Sequence, residues 1–170
     1  MKKNNGFTLV EVLIYIAVFS VIIVVTGFFI LWLINSSSKI KVMREVNDNA
    51  RIAMETMISE IKEAKSIYTP TSASRQISLE TSKYLPQGEE ASYIDFYEDN
   101  GTLFFKKESE DPVSLTSSLV EIKDINFTQV VYEKSYSIKI EMTVAYRNIS
   151  GRPEYDAEIT LTSTAFIRSN

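Results

Sequence analysis

The sequence predicts an α+β protein in which a long N-terminal helix, transmembrane in its first half, packs in its second half under an antiparallel β-sheet. Three observations carry that reading. Val12 to Ile34 is a run of 23 residues without a formal charge. An amphipathic helical stripe follows it, and the last third of the chain alternates apolar and polar residues with the period of a strand.

As one helix the uncharged run spans about 34 Å at ~1.5 Å per residue, enough to cross a hydrocarbon core of roughly 30 Å. A secretory signal fits poorly, because its apolar stretch is about 7 to 15 residues long and ends at a small-residue cleavage site. The only small-x-small option here is Ser36-Ser37-Ser38. A plain anchor fits the length but leaves Gly6 and Glu11 unaccounted for. An acidic side chain near a helix centre costs roughly 2.5 to 3.5 kcal/mol on insertion, so a carboxylate at the edge of the run asks for a partner. Flanking charges leave orientation open, with Lys2 and Lys3 on one side and Lys39, Lys41 and Arg44 on the other.

Met1-Lys2-Lys3-Asn4-Asn5-Gly6-Phe7-Thr8-Leu9-Val10-Glu11, followed directly by the apolar run, resembles the class III signal of type IV pilins and of the pseudopilins of type II secretion. The resemblance implies that a membrane prepilin peptidase cuts between Gly6 and Phe7 on the cytoplasmic side and N-methylates Phe7, while Val12 to Ile34 is retained as the transmembrane segment. It also implies a pilin-like fold and a single pass through the cytoplasmic (inner) membrane with the C-terminal head outside. The partners it implies are other pilins or pseudopilins, the pilus assembly platform and membrane lipid, and the destination is an extracytoplasmic filament. Cleavage would expose a cationic amine on Phe7. In a filament, Glu11 of one subunit would pair with that amine on a neighbour and set axial register, a role in which buried ion pairs are well attested. The alternative for Glu11 is a carboxylate that snorkels to the headgroups. Major pilins commonly carry a proline about two thirds along this helix. Here the neighbourhood is Val25-Thr26-Gly27-Phe28-Phe29, and a glycine costs up to ~1 kcal/mol where proline costs ~3. The departure favours a minor pilin or pseudopilin.

Asn35 to Ser38 forms a polar junction. Beyond it Met43, Val46, Ala50, Ala53, Met57, Ile61, Ala64 and Tyr68 recur every three or four residues, which puts them on one helical face. Arg44, Glu45, Asp48, Arg51, Glu55, Glu60, Lys62 and Glu63 fill the remaining surface, and Pro70 marks the end. A nearly continuous helix from Phe7 to about Ile67 is therefore expected, a short heptad dimer being the plainer alternative. Within it, Asn49 to Ala53 and Glu60 to Ala64 resemble the helix of J-type minor pseudopilins. The expected divisions are a leader at 1–6, a transmembrane or filament-core helix at 7–35, an amphipathic helix at 36–68 and a β-rich head at 69–170.

Thr69 to Gly88 reads as a loop with one short strand candidate, Gln76 to Glu80. Tyr93 to Tyr97 and Thr102 to Lys106 flank Asp99-Asn100-Gly101, and Asn-Gly between two β-rich runs predicts a hairpin. Asp95, Glu98 and Asp99 lie beside that turn, but their spacing does not fit a calcium loop, and no metal is expected. Val120, Ile122, Ile125 and Phe127 alternate with a slip near Lys123-Asp124 that predicts a bulge. Ile138, Ile140, Met142, Val144 and Tyr146 keep strict period two, Asn148 to Pro153 is a turn, and Ala157 to Ile167 alternates again.

Composition narrows the function. A net charge of −4 offers no basic footprint for nucleic acid. Cysteine and histidine are both absent, which removes thiolate chemistry and the commonest general base and metal ligand. No G-x-S-x-G is present, and five glycines build no phosphate-cradling loop. No catalytic residue and no cofactor are expected. Two classes remain: a filament subunit, or a membrane-tethered extracytoplasmic binding module whose helix is only an anchor.

Overall fold

A computed structural model describes residues 8–85, 87–132 and 135–167. The chain divides into two compact units, the first ending at Ser38 and the second beginning at Lys39. Helix α1, Leu9–Glu63, runs through both. Its start is capped by Thr8, whose Oγ1 accepts the Glu11 N–H at 3.3 Å and whose carbonyl accepts the Val12 N–H at 3.2 Å. Glu11 lies in the first turn and Lys62 in the last, each on the side that the helix dipole favours. Ser20 and Thr26 turn their hydroxyls back to the carbonyls of Ile16 and Ile22, both at 2.8 Å. These bonds leave no polar group open to lipid at either position. Gly27 does not interrupt the helix.

In the second unit the buried helix face is Val42, Val46, Ala50, Ala53, Met54, Met57 and Ile61. Met43, placed on this stripe from the sequence, is exposed, and Val42 takes the inward position. The helix also ends earlier than the expected Ile67. After Glu63 the Lys65 N–H bonds the Glu80 carbonyl at 2.8 Å, and the Tyr68 N–H bonds that of Ser78 at 2.9 Å. Residues read as a last helical turn instead form strand β1, Ser66–Ile67. Pairing with the strand at Gln76–Thr81 satisfies their backbone before Pro70 has to stop anything.

The β-structure is two antiparallel sheets, where one sheet was expected. Strands β1, β2 (Gln76–Thr81), β3 (Ser92–Asp99), β4 (Thr102–Lys107) and β5 (Val113–Ser114) follow one another in sequence order across the first. Strands β6 (Val120–Tyr132), β7 (Ser135–Tyr146) and β8 (Glu158–Phe166) make the second, again in sequence order. The sheets touch at isolated backbone bonds, from Ile122 N–H to the Gly101 carbonyl (2.8 Å) and from Phe127 N–H to the Ser74 carbonyl (2.7 Å). Between those points the register of β6 on β7 slips from Ile122 to Asp124, the expected bulge. A bulged strand twists away from a neighbour, which explains why β6 does not zip onto the first sheet.

The β3–β4 turn is as predicted. Asn100 (φ 49°) and Gly101 (φ 77°) both lie in the left-handed region, as a two-residue type I′ turn requires. Inward residues of both sheets, among them Leu79, Ile94, Phe96, Ile125, Ile140 and Met142, join Val46, Ala53, Met57 and Ile61 of the helix in one core. A polar latch ties the β5–β6 connection to the helix. Asn49 Oδ1 accepts the Ser117 N–H at 2.8 Å, and Ser117 Oγ donates to Glu45 Oε1 at 3.1 Å.

Candidate functional site

The first unit presents apolar side chains all round. Leu13, Ile14, Ile16, Phe19, Ile22 and Phe28, which point in different directions around the axis, are all exposed. A helix apolar on every side buries itself in lipid or against other helices. The richest window has mean hydropathy 2.8, and the helix is long enough to cross a membrane. Glu11 is the only formal charge in α1 before Lys39. It is half-shielded, and the phenol of Tyr15, one turn on, donates to its Oε1 at 3.3 Å. Thr8, Glu11 and Tyr15 thus form a short polar ladder at the start of the apolar rod.

Residues 1–27 match a family model, the prokaryotic N-terminal methylation motif. Together with the apolar helix, the match supports a type IV pilin-like protein, anchored by a single pass and processed by prepilin peptidase. No curated protein and no solved structure matches the chain. The methylation motif includes Gly6 and Phe7, the expected cleavage and methylation positions, which lie outside the described residues.

In the second unit one polar cluster went unread in the sequence. Glu60, assigned there to the solvent face, is 7% exposed. Its Oε1 accepts from Lys83 Nζ at 3.0 Å and from the Tyr84 hydroxyl at 2.9 Å. Lys83 also meets Glu63 Oε2 at 3.0 Å. Hydrogen bonds to Glu60 and then to Glu63 hold the Lys83 ammonium well above the ordinary lysine range. Burial, and then Glu60, raise the Tyr84 phenol. The Lys107 ammonium lies 4.5 Å from the centre of the Tyr84 ring, a cation–π contact. A signal was present, since Glu60 stands three residues after Met57 and four before Ala64, on the buried stripe itself. Its partners arrive 23 and 24 residues later and could not be paired with it by local spacing.

Asp95, Glu98 and Asp99 do not converge. Asp95 Oδ1 accepts from Ser78 Oγ at 2.5 Å. Glu98 accepts the Gly101 N–H at 2.7 Å and pairs with Arg75 at 3.0 Å, while Asp99 accepts from Asn100. Glu98 and Asp99 thus support the turn, while Asp95 ties β3 to Ser78 of β2 and Glu98 reaches Arg75 just ahead of it.

Proposed function

We propose that this chain is a minor pilin or pseudopilin, a structural subunit assembled into, or at the tip of, a type IV pilus or a type II secretion-like filament. Prepilin peptidase cleaves between Gly6 and Phe7 and methylates the new N-terminus. The subunit waits in the cytoplasmic membrane with its head outside, then passes through the assembly platform into a filament of other pilins or pseudopilins. One observation carries the reading: a lone carboxylate, Glu11, at the start of a helix apolar on all sides and inside a matched methylation motif.

The chemistry follows from charge pairing. Lipid and a packed helical core both penalise an unpaired carboxylate, and a neighbour's Phe7 amine is the complementary cation created by cleavage. The pair would form only when one helix stands at the right height beside another, so it selects axial register. Gly27 in place of a proline supports a minor role, because helix α1 continues through it without a break.

Mass spectrometry of the N-terminal peptide from the native host tests this. A mature chain beginning at methylated Phe7 is expected; one that retains Met1 to Gly6 in normal cells would overturn the proposal.

A further inference from the structure

The edge of a β-sheet offers a row of backbone N–H and C=O groups to any extended chain, and folded proteins usually close or blunt such rows. Among the described residues, three of the four sheet edges are treated that way. The first sheet ends in β1 and β5, two residues each. The β6 edge of the second sheet is bulged, and it is tied to the loops of the first through the Gly101 and Ser74 carbonyls. The fourth edge, β8, is nine residues long, keeps unbroken register on β7 and contains neither proline nor glycine. Its one formal charge, Glu158, stands at its start.

The register fixes which backbone groups are open, because only alternate residues of an antiparallel pair bond across it. The Tyr146 N–H bonds the Ala157 carbonyl at 2.8 Å, and the Ile167 N–H bonds the Tyr136 carbonyl at 3.1 Å. Between those two bonds the pairing does not slip, so the odd-numbered residues of β8 face β7. Glu158, Thr160, Thr162, Thr164 and Phe166 turn their N–H and C=O groups away from it, and no described strand or loop bonds them. The same five side chains are exposed. On the other face, Ile159 and Leu161 pack against the core but are only partly buried. Donors and acceptors that repeat every two residues match an extended backbone. A helix, whose backbone bonds are internal, and a lipid do not supply that repeat.

We infer that β8 receives an extended segment of a neighbouring filament subunit, which continues the second sheet as a fourth strand. The segment alternates in character. Its apolar residues cover the open flanks of Ile159 and Leu161, and its uncharged, β-branched ones stand beside the threonine row, as Thr143 Oγ1 already meets Thr160 Oγ1 at 2.9 Å. A second β8 is not the occupant. Antiparallel pairing of two identical edges needs a two-fold axis normal to the sheet. The α1 helices packed against those sheets would then run in opposite directions, which two chains anchored in one membrane forbid. The partner's identity rests on the filament reading; the extended, alternating chemistry does not.

Two measurements on the full chain test the inference. In detergent micelles the probe is a synthetic peptide of residues 157–167 with added terminal lysines, which has the required alternation. It should slow amide hydrogen exchange at Thr160, Thr162 and Thr164 saturably and several-fold. A peptide N-methylated at those three threonines should do nothing, whereas one N-methylated at Ile159 and Leu161 should act like the parent. Amides already protected without peptide, no saturable slowing, or equal action of the two methylated peptides would overturn the open edge. The chain has no native cysteine, so T164C can carry a single benzophenone label in membranes of the native host. Crosslinks mapping to an alternating segment of another filament subunit are expected, and they should be lost in T162P, whose missing N–H faces away from β7. T162K, which puts a charge in the row, decides the matter if T162P does not fold. Crosslinks to a second copy or to lipid alone, or ones indifferent to these changes, would overturn docking. An unprocessed N-terminus would sink the filament reading separately, whatever the peptide does.

Discussion

Glu60 shows how much one side chain can hold. A carboxylate 7% exposed is tolerable because an ammonium and a phenol share its Oε1. Changing Lys83 to Met leaves Glu60 with Tyr84 alone. Uncovering a buried acceptor costs roughly 1 to 3 kcal/mol, and the low end applies here because the Lys83 side chain is 39% exposed. The Tm of the full chain in detergent should fall accordingly; an unchanged Tm would mean that water already serves Glu60. The same cluster sets an alkaline limit. Lys83 and Tyr84 both have folded pKa values above their unfolded ones. Their contribution is therefore complete below about pH 10, the unfolded range, and is lost as pH rises through the raised folded values. Thermal melts between pH 7 and 11 should show stability dropping at the top of that range, and less so in Lys83→Met.

At the level of elements, legibility followed the range of the interactions. The Asn100-Gly101 hairpin was readable because its determinant is local: two consecutive residues that tolerate positive φ between β-branched and aromatic runs. The bulge near Lys123 was readable as a slip in alternation within one strand. The helix end was not, since a strand pairing with Ser78 and Glu80 outcompeted the last helical turn, and nothing in residues 64–68 announces a partner beyond Pro70. The division into two sheets depends likewise on how β6 twists past β4. The hairpin yields a direct test. Gly101→Ala forces a side chain into the left-handed region at about 1 to 2 kcal/mol, and its Cβ would meet that of Glu121 at 3.3 Å. Tm should drop, with the β3 and β4 amides losing hydrogen-exchange protection first. Gly27→Ala meets nothing within 4 Å and removes a helix penalty of up to ~1 kcal/mol, so it should leave membrane insertion intact.

For the whole molecule, the candidate site was legible as a string of residues and illegible as a geometry. Gly6, Phe7 and Glu11 follow from the motif, but the hydroxyls that flank Glu11 depend on the helical turn that brings Thr8 and Tyr15 to it. Where a charge sits in the apolar rod should then decide what its removal or addition does. Glu11 stands one turn from the end of the helix, supported by Tyr15, so insertion does not depend on it. On the proposed pairing, Glu11→Ala should leave membrane-bound, processed subunit at normal levels while filament incorporation falls at least tenfold, because the acid that would answer a neighbour's amine is gone. Val21→Asp adds an acid near the middle of the run with no helical partner of its own, at roughly 2.5 to 3.5 kcal/mol, and should deplete the membrane-inserted form itself. Fractionating cells that carry each variant separates the two effects. If Glu11→Ala assembled normally, the helix would be serving as an anchor alone, and the head would have to carry the function by itself.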